Sequence, residues 1–216
     1  MFAESPCPEF AARFAPDCLI VGVDEAGRGP LAGPVVASAV VLCKPRPAGL
    51  DDSKKLSAAK RSALDAAVRK RCAWAVAEIG PEEIDRLNIF GATMLAMTLA
   101  VARLAEAMGR APDMVLIDGN LTPAGRCRGW RWTARAIVGG DGKEPAIGAA
   151  SIVAKEWRDR MMVAAAAQHP HFGWDRNKGY GTREHLHALR EHGPCALHRR
   201  SFAPVGQLEM PLEKIA

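Results

Sequence analysis

The stretch VGVDEAGRGPLAGPVVASAVVL, residues 21 to 42, constrains the fold of this chain more than any other. A short apolar run ends in two adjacent carboxylates, Asp24 and Glu25. A loop of glycines and prolines carrying Arg28 follows, and then a second apolar run. Short β-branched runs bounded by Gly and Pro read as strands, here 19–25 and 34–42, joined by a connection. Burying an unpaired charge is expensive, so paired acids at a strand end imply a use for them.

The theme recurs twice. DMVLIDGN (113–120) is an apolar run that reaches Asp118, and WTARAIVGGDG (132–142) predicts a strand ending at Asp141. CAWAVAEIG (72–80) reads as a further strand, and Ser57 as the N-cap of a helix over about 58–70. In GATMLAMTLAVARLAEAM (91–108), Met94, Met97, Val101, Leu104 and Met108 fall at helical spacing. Such a methionine stripe is core packing rather than a cofactor site. Residues 145–167 and 183–192 read as two more helices. Three strands before a long helix predict an antiparallel meander, and the whole order predicts a mixed α/β sheet with helices on its faces.

At 216 residues the chain fits one domain, expected over 18–205, with a loosely ordered lead-in at 1–17 and a tail at 206–216. Basic residues exceed acidic ones, 29 to 24, which suits a polyanionic partner without proving one. The six cysteines contain no CxxC pair, so a structural zinc site and a disulfide framework are not expected. The N-terminus has no signal-peptide core, and no apolar run reads as a membrane span. A cytosolic monomer is the expectation. The six histidines read as surface residues without a role.

Acids brought together at strand ends raise one another's pKa unless a cation neutralises them. All-oxygen ligands point to Mg²⁺ or Mn²⁺, and two such ions are the usual device for in-line attack on a phosphodiester. Taken alone, Asp118 in its DGN turn reads as a turn residue more readily than as a catalytic one. An apolar run before DE also imitates the Walker B segment of a nucleotide hydrolase, but no GxxxxGK[ST] accompanies it. The Gly-rich loop links two strands rather than opening a helix, so it is no dinucleotide fingerprint.

DEAGRGPLAGPV, DSKKLS, LNIFGATMLAM, DGN, GD before GAASIVAKEWRDR, and NKGYGTREH stand in an order that resembles type 2 ribonuclease H, ribonuclease HII. The resemblance runs from about residue 19 to HRRSFAPV at 198–205. It implies a ribonuclease H-like fold: a mixed five-stranded sheet flanked by helices, with additional C-terminal helices. The implied activity is a metal-dependent endonuclease, using Mg²⁺ or Mn²⁺, that cuts the RNA strand of RNA–DNA hybrids. It would also cut at single ribonucleotides embedded in duplex DNA, as in ribonucleotide excision repair, leaving 5′-phosphate and 3′-hydroxyl ends.

Asp24, Glu25, Asp118 and Asp141 match the family's metal-binding acids, Gly27, Arg28 and Gly29 its GRG loop, and Tyr180 its C-terminal tyrosine. Glycines let backbone approach a sugar, and the ribose 2′-OH is what tells RNA from DNA. Arg28 can hold a phosphate through its planar fork, and Tyr180 can stack on a nucleotide beside the cut. Lys54, Lys55, Lys143, Lys155 and Lys178 read equally as phosphate contacts or solvated surface. The chain departs from the family at Gly140, where many relatives have lysine, and at Glu156-Trp157. Two other functions compete. A related metal nuclease acting on DNA junctions or single strands is opposed by the GRG loop and Tyr180. A non-catalytic hybrid-binding module would have lost an acid. In the tail, Gln207, Leu208, Met210, Pro211 and Leu212 resemble the QLxLPL peptide that docks on the bacterial sliding clamp. Packing of these apolar residues on the domain is the alternative, and both readings stay open.

Overall fold

The structure is a computed structural model that describes residues 18–50, 53 and 55–209. The expected lead-in at 1–17, Lys54 and the tail residues Met210, Pro211 and Leu212 lie outside the described residues. The strands are β1 (Ile20–Ala26), β2 (Val35–Val41), β3 (Ala73–Ile79), β4 (Met114–Asp118) and β5 (Ala134–Ile137). The helices are α1 (Ala58–Arg71), α2 (Pro81–Met108), α3 (Pro145–Gln168), α4 (Trp174–Asn177), α5 (Arg183–His192) and α6 (Ala203–Gly206).

One five-stranded sheet runs in the order β3-β2-β1-β4-β5. The first three strands pair antiparallel, as expected, although α1 forms the connection between β2 and β3. β4 joins parallel to β1, and β5 parallel to β4. Every residue of β2 (VVASAVV) is buried, so both faces of the sheet are covered there, and α2 and α3 both pack on it. Gly22 marks how close α3 comes. A Cβ at Gly22 would lie 2.1 Å from the carbonyl carbon of Ala146 in that helix's first turn.

Ser57 caps α1 as expected, its hydroxyl accepting from the Lys60 N–H at 3.3 Å. α2 starts ten residues before the expected helix. Asn88 interrupts it with φ 58°, and its Oδ1 accepts from the N–H groups of Phe90 (2.9 Å) and Gly91 (3.0 Å), capping the second segment. Met94, Met97, Val101 and Leu104 are buried in that segment, which settles the stripe as core packing. By length and composition α2 is apolar enough to cross a bilayer, contrary to the expectation that no run would be. Half of that stretch is buried inside the protein, and the Asn88 break interrupts the helix.

Two expectations need correcting. The strand over 132–142 stops at Ile137, because Gly139 turns the chain at φ +63°, so Asp141 sits on a 3-10 turn, Gly140–Gly142. The histidines are not all surface residues: His185 and His198 are 0% and 2% exposed. Their ring nitrogens find partners inside a second core where Leu31, Met162, Phe172, Trp174 and Leu189 meet.

Candidate active site

Three separate chain segments bring carboxylates to one edge of the sheet. Val23 and Ile117 form the last parallel pair between β1 and β4, so the next residues, Asp24 and Asp118, stand side by side. Asp141 arrives from the turn between β5 and α3. One oxygen from each of the three lies within 4.8 Å of the others. Backbone N–H groups hold them: Glu25 to Asp24 Oδ1 at 2.7 Å, Gly140 to Asp118 Oδ1 at 2.7 Å, and Gly142 to Asp141 Oδ1 at 2.9 Å.

Burial pushes the Asp24 pKa well above its ordinary value, and the neighbouring charges of Glu25 and Asp118 push the same way. The Ser151 hydroxyl and the Glu25 N–H oppose them. Burial also raises Glu25, against Arg28, which lowers it. Glu25 stands outside the group of three, on the rim of the cleft that it and Asp24 both line. Its carboxylate pairs with Arg28 at 3.3 Å on the rim.

A cleft of about 330 Å³ runs from Asp24 and Glu25 along Gly27, Arg28 and Gly29 to Tyr180, which is 48% exposed as expected for a ring with a surface task. The two glycines of the loop differ. Gly27 has φ +92°, and a Cβ there would fall 2.0 Å from Arg158 Nε, so packing alone demands glycine. Gly29 has no such constraint, and a Cβ would meet only Tyr180 Cε1 at 3.6 Å. Its bare backbone therefore faces the cleft beside the tyrosine.

Two buried guanidiniums fix this loop. Arg158 donates to the carbonyls of Pro34, Lys178 and Ala32, each at 2.9 Å. Arg199 donates to those of Gly33 and Arg28 at 2.9 Å and of Gly27 at 2.6 Å. Sequence reasoning quoted both within motifs, WRDR and HRRSFAPV, without a role for either. It also missed Ser151, and Ser53, whose hydroxyl lies 2.8 Å from that of Ser151 on the cleft wall. Both serines stand in quoted motifs as well.

Of the lysines held open, Lys155 lines the cleft and pairs with Asp159 at 2.6 Å. Lys143 is tied to the Val138 carbonyl at 2.6 Å, and Lys178 to that of Asp175. The departures from the family pattern have local causes. Ile147 fills the space beside Gly140, where a Cβ would lie 2.6 Å from its Cδ1. Glu156 pairs with Arg61 at 2.7 Å, and Trp157 donates to Glu78 at 3.0 Å while its ring meets Trp74, all on the flank where α3 meets α1 and β3.

The family model described as Ribonuclease HII matches residues 21–205. Ribonuclease HII of Novosphingobium aromaticivorans is 69% identical over 192 residues, 88% of this chain and 98% of that protein. Among solved structures, the PCNA:RNase HII complex from Archaeoglobus fulgidus matches with a TM-score of 0.68 at 26% identity, over 91% of this chain and 100% of that one. Bst-RNase HIII in complex with Mn²⁺ matches with a TM-score of 0.70 at 19% identity, over 92% of this chain and 71% of that one, and so shows the fold. With nearly the whole length matched and identity this high, the chain belongs to the ribonuclease HII family.

Proposed function

We propose that this ribonuclease H endonuclease cuts the RNA strand of RNA–DNA hybrids and the junction at a single ribonucleotide embedded in duplex DNA. The observation that carries the reading is the meeting of Asp118 and Asp141 with Asp24, which itself lines a cleft shared with Gly29 and Tyr180. The donor set fits a divalent cation: carboxylate oxygens within 4.8 Å of one another, one of them on a buried acid whose pKa its neighbours raise. Asp24, Asp118 and Asp141 would hold Mg²⁺ or Mn²⁺, with Glu25 completing the site from the rim. When bound, such ions supply an activated water and neutralise charge on the scissile phosphate.

The chain's own residues do the rest. Asp24 is held rigid by Ser151 and by the Glu25 N–H, so its oxygens are pre-aimed. Gly29 offers bare backbone to a ribose 2′-OH, the group that separates RNA from DNA. Arg28, half exposed, reaches a neighbouring phosphate, and Tyr180 stacks on the adjoining nucleotide. Water oxygen adds to phosphorus and gives up a proton to solvent, the bond to the 3′-oxygen breaks, and that oxygen takes a proton from solvent. The ends are then 5′-phosphate and 3′-hydroxyl.

A labelled duplex with one ribonucleotide, an all-DNA control and a continuous hybrid test this, each with Mg²⁺, Mn²⁺ or EDTA. Cutting of the first and third only, and only with cation, is expected. Equal cutting of all-DNA duplex would transfer the chain to the junction-nuclease reading.

A clamp partner is proposed for the tail. Gln207 and the 45% exposed Leu208 open the peptide on a 3-10 turn at the surface, and the PCNA complex of the archaeal relative supports the reading. Capture of sliding clamp by wild type but not by Gln207→Ala/Leu208→Ala is the expected result.

A further inference from the structure

Behind Tyr180 lies a buried chain of hydrogen bonds that the active site does not use directly. His198 Nδ1 accepts from the Cys195 backbone N–H at 3.0 Å, so its proton resides on Nε2. That Nε2 lies 3.0 Å from His185 Nε2, which must therefore be the acceptor. The Trp174 Nε1–H, at 3.2 Å, aims at the same nitrogen. With the single lone pair of Nε2 shared between these two donors, the proton of His185 resides on Nδ1, which donates to the Tyr180 carbonyl at 2.9 Å. Each ring nitrogen has a partner, and the donors run one way: Cys195, His198, His185, Tyr180.

A structural reading would make these two satisfied core histidines. Yet apolar rings would fill the same volume without the cost of ordering four polar groups, and a connected buried network specifies one arrangement. This one ends on the main chain of the exposed aromatic of the cleft. The Thr182 N–H donates to the same carbonyl at 2.8 Å, while the Tyr180 N–H is held by Asn177 at 2.9 Å. We infer that His185, oriented by His198 and Trp174, is a positioning residue that sets the orientation of Tyr180 against Gly29 for nucleotide binding. The inference rests on the reading that Tyr180 stacks on the nucleotide.

Two isosteres separate orientation from packing. In His185→Asn, an amide donor occupies the Nδ1 position and nothing reaches the Nε2 position. In His185→Gln, an acceptor reaches the Nε2 position and no donor faces Tyr180. Steady-state cleavage of the single-ribonucleotide duplex is measured for both, for Tyr180→Ala and for His185→Gln/Tyr180→Ala, with urea unfolding alongside. Tyr180→Ala should raise KM about tenfold, the loss of one stacked base. His185→Gln should raise KM several-fold with kcat within about twofold of wild type, since the acids are untouched. The double variant should be no worse than Tyr180→Ala. His185→Asn should keep a near wild-type KM although it unfolds at lower urea. Equal KM for Gln and Asn variants, or additive losses in the double variant, would overturn the inference while Tyr180→Ala remains costly. A neutral Tyr180→Ala would overturn the stacking reading and the inference with it. Should the His185 variants not fold, imidazole ¹⁵N spectra of the wild type decide: Nδ1–H at His185 with Nε2–H at His198 is required, and the opposite tautomers overturn it.

Discussion

Arg199 Nη2 donates to the carbonyl of Gly27 at 2.6 Å, joining residues 172 apart in sequence. With Arg158 it donates five hydrogen bonds to the loop over residues 27–34, and Arg158 adds a sixth to the Lys178 carbonyl. Burial lowers both guanidinium pKa values, to about 9 for Arg199 and about 10 for Arg158, still above neutrality, so both forks stay charged. Arg199→Lys keeps the charge but cannot span three carbonyls. It should cost about 3 kcal/mol in urea unfolding, from carbonyls left without donors, and lower kcat/KM at least tenfold. Wild-type activity in a destabilised variant would show that the loop holds itself.

Asp118→Asn should abolish cleavage and leave the fold intact. In the cation-free protein it removes a charge that helps to raise Asp24, so the unfolding midpoint in EDTA should be unchanged or higher. Near wild-type cutting with Mg²⁺ would exclude Asp118 from the site.

The two loop glycines should part company. Gly27→Ala meets both a positive φ and the Arg158 side chain and should cost more than about 2 kcal/mol of stability. Gly29→Ala should leave stability within about 0.5 kcal/mol, as a surface change, yet depress cleavage at ribonucleotides. Denaturation curves and kcat/KM for both variants check this, and a harmless Gly29→Ala would sink the close-approach reading.

Burial, helped by the charge of His185 and of the nearby His169 and His171, lowers the His198 pKa from 6.5 to about 4. The unfolded chain therefore takes up this proton first as pH falls. Stability from keeping His198 neutral is present above about pH 6.5 and is lost toward pH 4, on the order of 3 kcal/mol in all. Asp24 and Glu25, raised in the fold, act with the opposite sign. Comparing wild type with His198→Gln across pH 7 to 4.5 isolates the histidine: the wild type should lose more stability over that range.

What could be read in advance was local. The short β-branched runs of β1 and β2, the Ser57 cap and the methionine stripe depend on neighbours within a turn or a strand. The start of α2 was also written locally, since Pro81 with Glu82 and Glu83 behind it is a helix-start signal that periodicity alone misses. Asp141 was placed on a strand because the apolar run conceals Gly139, whose positive φ ends it. Glu25 was grouped with Asp24 by adjacency, and it lines the same cleft from the rim, paired with Arg28. Arg158, Arg199, His185 and His198 were illegible in role, because a buried polar side chain is explained by partners that only the fold supplies.

The bond between Arg199 and Gly27 also has a consequence in time. Synthesis runs from the N-terminus, and 172 residues separate the two ends of that bond. At about 5–20 residues per second, roughly 10–30 s pass between emergence of the loop and arrival of the arginine that fixes it. Through that interval β1 and its acids exist while the carbonyls of Gly27 and Arg28 lack the donor that holds them in the finished fold.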